Sequence, residues 1–174
     1  MSGIIRSVER QTFLPSPGPG VGMLASTAYT EAAGQRLECG HTHISRSDTA
    51  DVSYVRFSAD NGRTWSKPRT WPTRFDHPDG VGRRHRMGGY VDPATGRYLR
   101  FWIEGVLPTD HPKEGMRQYT VHHAISEDGG RSETFSGPLV HEGDQFDAAH
   151  PLPGVTVGRN CVMLGDLTQR PITR

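Results

Sequence analysis

The chain is expected to fold as an all-β protein, on three observations. Its 21 glycines and 13 prolines are spread along 174 residues rather than gathered in one tract, which divides it into many short elements joined by turns. The segments between those turns are rich in β-branched and aromatic residues, and several alternate along their length. An order of four such segments, the third and fourth joined by a Ser-x-Asp-x-Gly turn, also occurs twice, and a repeated unit is stronger evidence than either copy alone.

The elements follow in order. A short strand is expected over 4–8, then a Pro/Gly loop up to Gly22 (Pro15, Pro17, Gly18, Pro19, Gly20). The first unit comprises strands over 23–29, 36–44, 52–58 and about 65–71, with a tight turn at 31–34 and a polar loop at 45–51. The second comprises strands over 86–91, 97–104, 118–126 and 135–141, with a turn at 92–96 and a loop at 105–117. In its second strand the period of two puts Leu99, Phe101 and Ile103 on one face and Tyr98, Arg100 and Trp102 on the other. Each unit reads as one four-stranded antiparallel blade, the first about 21–71 and the second about 86–141, and a third begins near 160–174.

The turn Ser58-Ala59-Asp60-Asn61-Gly62-Arg63-Thr64-Trp65 assigns a mechanical task to each specified residue. Asp60 can accept backbone N–H groups of its own turn, and Gly62 tolerates a positive φ. Ser58 and Thr64 add hydroxyl bonds, and Trp65 can bury a large ring beneath the turn. Ser126-Glu127-Asp128-Gly129-Gly130-Arg131-Ser132 repeats the pattern, with Glu133 standing where Trp65 stood. The pattern S-x-D-x-G-x-T-W resembles the Asp-box of the bacterial neuraminidase repeat, found in sialidases and related β-propellers. The resemblance implies a sialidase-like β-propeller, six-bladed in that family, of which this chain supplies about two blades and the start of a third. Propellers close with ~4–8 blades. The expectation is therefore an amino-terminal part of the ring, whose exposed blade edges favour self-association.

Strand order decides which loops share an end. In up-and-down blades the Asp-box turns Ser58, Asp60, Gly62, Thr64, Trp65 and Ser126, Asp128, Gly130 lie at one end with the tight turns, and are read as structural. The opposite end collects the long loops 45–51, 72–84, 105–117 and 142–160, where binding is expected. His77, His111 and His150 fall in those loops. By the resemblance, an Asp in the loop before the first Asp-box is the acid/base of an exo-acting glycoside hydrolase. That makes Asp48 the first candidate and Asp51 the second. An arginine triad from different blades would grip the substrate carboxylate in bidentate geometry, and a Tyr–Glu pair would be the nucleophile. Where the family carries Arg-Ile-Pro on its first inner strand, this chain reads Val21-Gly22-Met23-Leu24.

Further candidates on or beside the long-loop end are Arg46, His41, His43 and Arg84 for substrate contact, and Glu104 as a secondary acid. His41-Thr42-His43 sets two imidazoles on one side of a strand, either as metal ligands or as ordinary strand polarity, and no metal is assigned. Arg83-Arg84-His85-Arg86 is a basic cluster able to receive an anionic glycan. The implied partner is a carbohydrate, and no cofactor is implied.

Composition narrows the remaining classes. A net charge of +1 with 22% charged residues carries no whole-protein argument for nucleic acid. No apolar run approaches the ~18 residues of a membrane span, and the start lacks the apolar core of a signal peptide. Cys39 and Cys161 are too distant and too few for a disulfide framework. The leading expectation is a carbohydrate-active sialidase-like protein. The alternative is a non-catalytic Asp-box propeller that binds glycans or proteins, favoured by the missing Arg-Ile-Pro. A propeller lyase or hydrolase acting on another acidic polysaccharide stands third.

Overall fold

The computed structural model describes residues 10, 12–46, 49–111 and 120–138. The strand expected over 4–8, the end of the last strand at 139–141, the loop 142–160, the third blade at 160–174 and Cys161 all lie outside the described residues. Within them the protein is all-β, without a helix, in two antiparallel sheets, one of them curled into a half-barrel.

The first sheet runs β1 (Gly22–Tyr29), β2 (Leu37–Ile44), β3 (Val52–Ser58) and β4 (Arg69–Trp71) in sequence order. Register is continuous from Tyr29 opposite Leu37, and Leu37 opposite Ser58, to Gly22 opposite Ile44. The fourth strand is shorter than expected and begins at Arg69. Phe57 N–H donates to the Ser66 hydroxyl and Ser66 N–H to the Phe57 carbonyl, so the chain leaves the turn before Pro68, whose missing N–H delays the ladder.

The second sheet departs more from expectation. Its order is β5 (Arg74–His77), β6 (Gly80–Val91), β7 (Tyr98–Leu107), β8 (Thr120–Ser126) and β9 (Phe135–Pro138), five strands rather than four. The stretch expected as the loop 72–84 is a β-hairpin in which Arg74 faces Arg83 and His77 faces Gly80. Pro78-Asp79-Gly80 turns it, with Gly80 at φ 146°. The density of charge in Arg74, Asp76, Arg83 and Arg84 disguises the strand alternation of that segment. The first strand of the second unit consequently starts at Gly80, not Arg86, and it carries a bulge between Arg86 and Gly88.

The two sheets face one another, with β1 beside β6. Polar side chains form much of that contact. Glu38 of β2 is 1% exposed and accepts hydrogen bonds from Arg86 of β6, from Arg100 of β7 and from the Tyr98 hydroxyl (3.2 Å). The two guanidiniums are 4% and 8% exposed. Burial alone raises a carboxyl pKa, but Arg86 and Arg100 outweigh it and hold Glu38 below its ordinary 4.5. Gly40 leaves room for this cluster, since a Cβ there would sit 2.7 Å from Arg86 Nε and displace the guanidinium. Trp71 meets Trp102 edge-on at 6.2 Å, under the Arg86 guanidinium. On β7 the face with Tyr98, Arg100 and Trp102 is the one turned to the first sheet, as the period of two separates it from Leu99, Phe101 and Ile103.

The Ser-x-Asp-x-Gly turns are bonded alike. Ser58 Oγ donates to Asp60 Oδ1 (2.8 Å) and accepts from Gly62 N–H (2.9 Å); Ser126 Oγ does the same with Asp128 (2.8 Å) and Gly130 (2.8 Å). Asp60 then accepts Thr64 N–H (2.8 Å) and hydroxyl (2.7 Å), as Asp128 accepts those of Ser132 (2.9 and 2.6 Å). Two successive residues have positive φ in each, Asn61 and Gly62 (56° and 83°) and Gly129 and Gly130 (74° and 85°). These bonds favour the ionised carboxylates: Thr64 and Ser58 pull Asp60 down to about 2, and Ser132 and Ser126 pull Asp128 lower still. Trp65 donates its indole N–H to Gly62 O (3.0 Å) and packs on Phe13. Its counterpart Glu133 instead accepts from Arg100 (2.7 Å), tying the second turn to the buried cluster.

Candidate functional site

Register puts the connections 30–36, 59–68, 92–97 and 127–134 at one end of the sheets, with the Glu38 cluster just inside them. The ends of β2 and β7 and the starts of β3, β6 and β8 define the other. There the sequence candidates Arg46, Asp51 and Arg84 are found. Asp48 lies outside the described residues, as does His150.

Arg46 belongs to a cluster of three arginines around one carboxylate. Arg83 grips Asp110 through two parallel bonds, Nε to Oδ1 at 2.7 Å and Nη2 to Oδ2 at 2.8 Å. Arg46 reaches Asp110 Oδ2 at 3.3 Å and Arg74 reaches it at 3.8 Å. The four side chains come from three places: the loop after β2, the β5–β6 hairpin, and the turn after β7. The turn is closed by Asp110 N–H on Leu107 O, and Asp110 stands at φ 59°. Arg83 is 13% exposed and also donates to Ala50 O, whereas Arg46 and Arg74 are about half exposed. Burial pushes the Asp110 carboxyl up, but Arg83 foremost, then Arg74 and Arg46, bring it below the usual carboxylate value. Three guanidiniums against one carboxylate leave the cluster with a net positive charge.

Arg84 is a strand residue of β6 and belongs to a second cluster. Its Nε donates to Glu104 Oε1 (2.6 Å), which also accepts the Trp102 indole N–H (2.8 Å). His122 Nε2 stands 3.8 Å from Glu104 Oε2 and 3.0 Å from the Thr120 hydroxyl. Burial lowers the His122 pKa; Glu104 opposes and Arg84 adds to that shift. The Arg84 guanidinium lies 4.7 Å over Phe75, so Arg84 is held on both sides. Glu104, read as a secondary acid, thus has one oxygen shared by two donors and the other turned to an imidazole.

Asp51 closes its own loop. Its Oδ2 accepts Ser45 N–H at 2.6 Å, its N–H donates to His43 O, and its carbonyl accepts the Thr73 hydroxyl (3.0 Å). His41 and His43 pack on Tyr54, with ring centroids 5.1 and 5.5 Å away. His41 is buried, and burial, then Arg56, His43 and Arg86, lower its pKa and favour the neutral ring. Among the described residues neither imidazole joins Arg46 or Arg84 in the polar contacts of their clusters. Among the described residues no group of three or more His, Cys, Asp or Glu is placed to hold a metal ion, and no helix is long and apolar enough to cross a membrane.

Arg74, Arg83 and Asp110 complete a cluster of which sequence reading singled out Arg46 and, in its basic run, Arg83. The available signal was Pro78-Asp79-Gly80, which pairs Arg74 with Arg83 once it is read as a hairpin turn. Asp110 carried none, because it reaches the cluster only through folding. Comparison of the chain with protein-family models, with curated proteins and with solved structures yields no match.

Proposed function

We propose that the chain supplies blades of a sialidase-like, Asp-box β-propeller that acts on carbohydrate as an exo-acting glycoside hydrolase, with its ligand taken at the long-loop end. The observation that carries this reading is the pair of Ser-x-Asp-x-Gly turns that share the same Ser–Asp, Ser–Gly and Asp–Thr/Ser bonds. Each closes the third-to-fourth strand hairpin of its repeated unit, in two sheets packed with β1 beside β6. The Arg46–Arg74–Arg83 cluster at the opposite end supports an anionic ligand, since planar guanidiniums suit a carboxylate and these three share only that of Asp110. In this reading Asp48 is the acid/base and Asp51 the second candidate, with Arg46 and Arg84 at the substrate.

The test is hydrolysis of fluorogenic sialosides and neutral glycosides by the full-length protein. Asp48→Asn should remove most turnover with the fold retained. Turnover undiminished in both Asp48→Asn and Asp51→Asn would overturn the acid/base assignment. The alternative, a non-catalytic propeller that binds glycans or proteins, is favoured by Asp51 being engaged with Ser45 and by Val21-Gly22-Met23-Leu24 standing in place of Arg-Ile-Pro. Ligands on a glycan array with no turnover of any of them would select it.

A further inference from the structure

Between the sheets, at the end away from the arginine–Asp110 cluster, two adjoining cavities of about 400 and 550 Å³ share Phe57, Arg69 and Arg131 and form one elongated groove. One wall is β4 with the end of β3; the other is the second Ser-x-Asp-x-Gly turn, through Gly130 to Glu133. Three cations line it without an ion-pair partner among the described residues: Lys67, Arg69 and Arg131. Arg69 rests on the Phe57 ring at 5.1 Å, which orders the guanidinium without neutralising it. The acid of the lining, Glu133, is already engaged by Arg100 (2.7 Å), and Arg100 in turn by Glu38. The groove therefore holds uncompensated positive charge along its length.

Its floor adds a second kind of complementarity. Among the described residues β4 pairs with β3 on one side only, and Arg69, Thr70 and Trp71 all line the cavity. An edge strand offers backbone N–H and C=O groups to an extended chain. A sulfated glycan could use the cations but has no matching ladder of amides. We propose that this groove binds an extended acidic peptide, added antiparallel or parallel along β4, with its carboxylates on Lys67, Arg69 and Arg131. The site is separate from the long-loop end and stands whether or not the protein is a glycosidase.

Fluorescence polarisation of the whole chain with a labelled hexapeptide alternating glutamate and valine tests it, since alternate side chains then share one face. The expected Kd is on the order of 100 µM at low salt, weakening as salt screens the charges. Lys67→Ala, Arg69→Ala and Arg131→Ala should each weaken binding about three- to tenfold, from the loss of a charge-assisted bond at a partly solvated site. Arg69→Lys should retain part of the affinity, and Arg46→Ala at the far end should leave it unchanged. N-methylation of alternate peptide amides should abolish binding in one of the two possible phases. The proposal is overturned by a Kd above about 1 mM, by equal binding of the lysine–valine peptide, by indifference to both N-methylation phases, or by undiminished binding in the triple variant. It is equally overturned if a sulfated oligosaccharide displaces the peptide and binds through Arg69 and Arg131 more tightly than the peptide does.

Discussion

Replacing Glu38 by glutamine keeps the side-chain shape and removes the charge on which two buried guanidiniums converge. Arg86 and Arg100, at 4% and 8% exposed, would then face a neutral acceptor in a site that excludes most water. Arg100 keeps Glu133 and the Gly130 carbonyl, while Arg86 loses the charge partner it has. Removing one side of a buried ion pair costs ~3–5 kcal/mol, and the retained amide oxygen puts this variant near the lower figure, about 3 kcal/mol. At ~2–4 °C per kcal/mol for a chain of this size, Tm should fall by about 6–12 °C. Urea unfolding followed by the fluorescence of Trp71 and Trp102, which lie beside the cluster, should show a lower midpoint at unchanged m. Because Glu38 is held below 4.5 in the folded protein, its contribution is present above that pH. It is lost as pH falls through the lower folded value, so the gap between wild type and Glu38→Gln should narrow on acidification below about pH 4.5. A loss under about 1 kcal/mol at pH 7, or a gap that widens in acid, would refute the view that this carboxylate joins the two sheets.

Asp110→Ala should free Arg46, Arg74 and Arg83 and strengthen binding of a small carboxylated sugar about tenfold, measured by calorimetry, since the internal carboxylate no longer competes. Gly130→Ala should destabilise by about 2 kcal/mol or more in urea, because φ is 85° and the new Cβ would stand 2.9 Å from both Arg100 and Glu38. Asp60→Asn should remove an acid-labile contribution to stability. With the carboxyl held at about 2, that contribution is full above its ordinary 3.8 and disappears as pH falls through about 2, so acid titrations of variant and wild type should converge there.

Much of the fold is legible along the chain because turns and strands are local. Asn61-Gly62 and Gly129-Gly130 meet the demand for two successive positive φ values. The Ser and Asp of each turn bond within four residues, so their geometry follows from neighbours. The separation of Tyr98, Arg100 and Trp102 from Leu99, Phe101 and Ile103 follows from the strand period alone. Less was legible where charge masked alternation, as in Arg74–His77 and in the start of β6, which turned an expected loop into a hairpin.

What could be read along the chain is thus an all-β protein carrying two copies of the same self-bonded turn, each joining two antiparallel strands. Which charges meet is set by how the two sheets pack. Glu38 lies far along the chain from Arg86 and Arg100, and Asp110 lies as far from Arg46, so no spacing relates them. Those pairings arise when one sheet is laid on the other, where a buried charge must find its opposite or remain unsolvated.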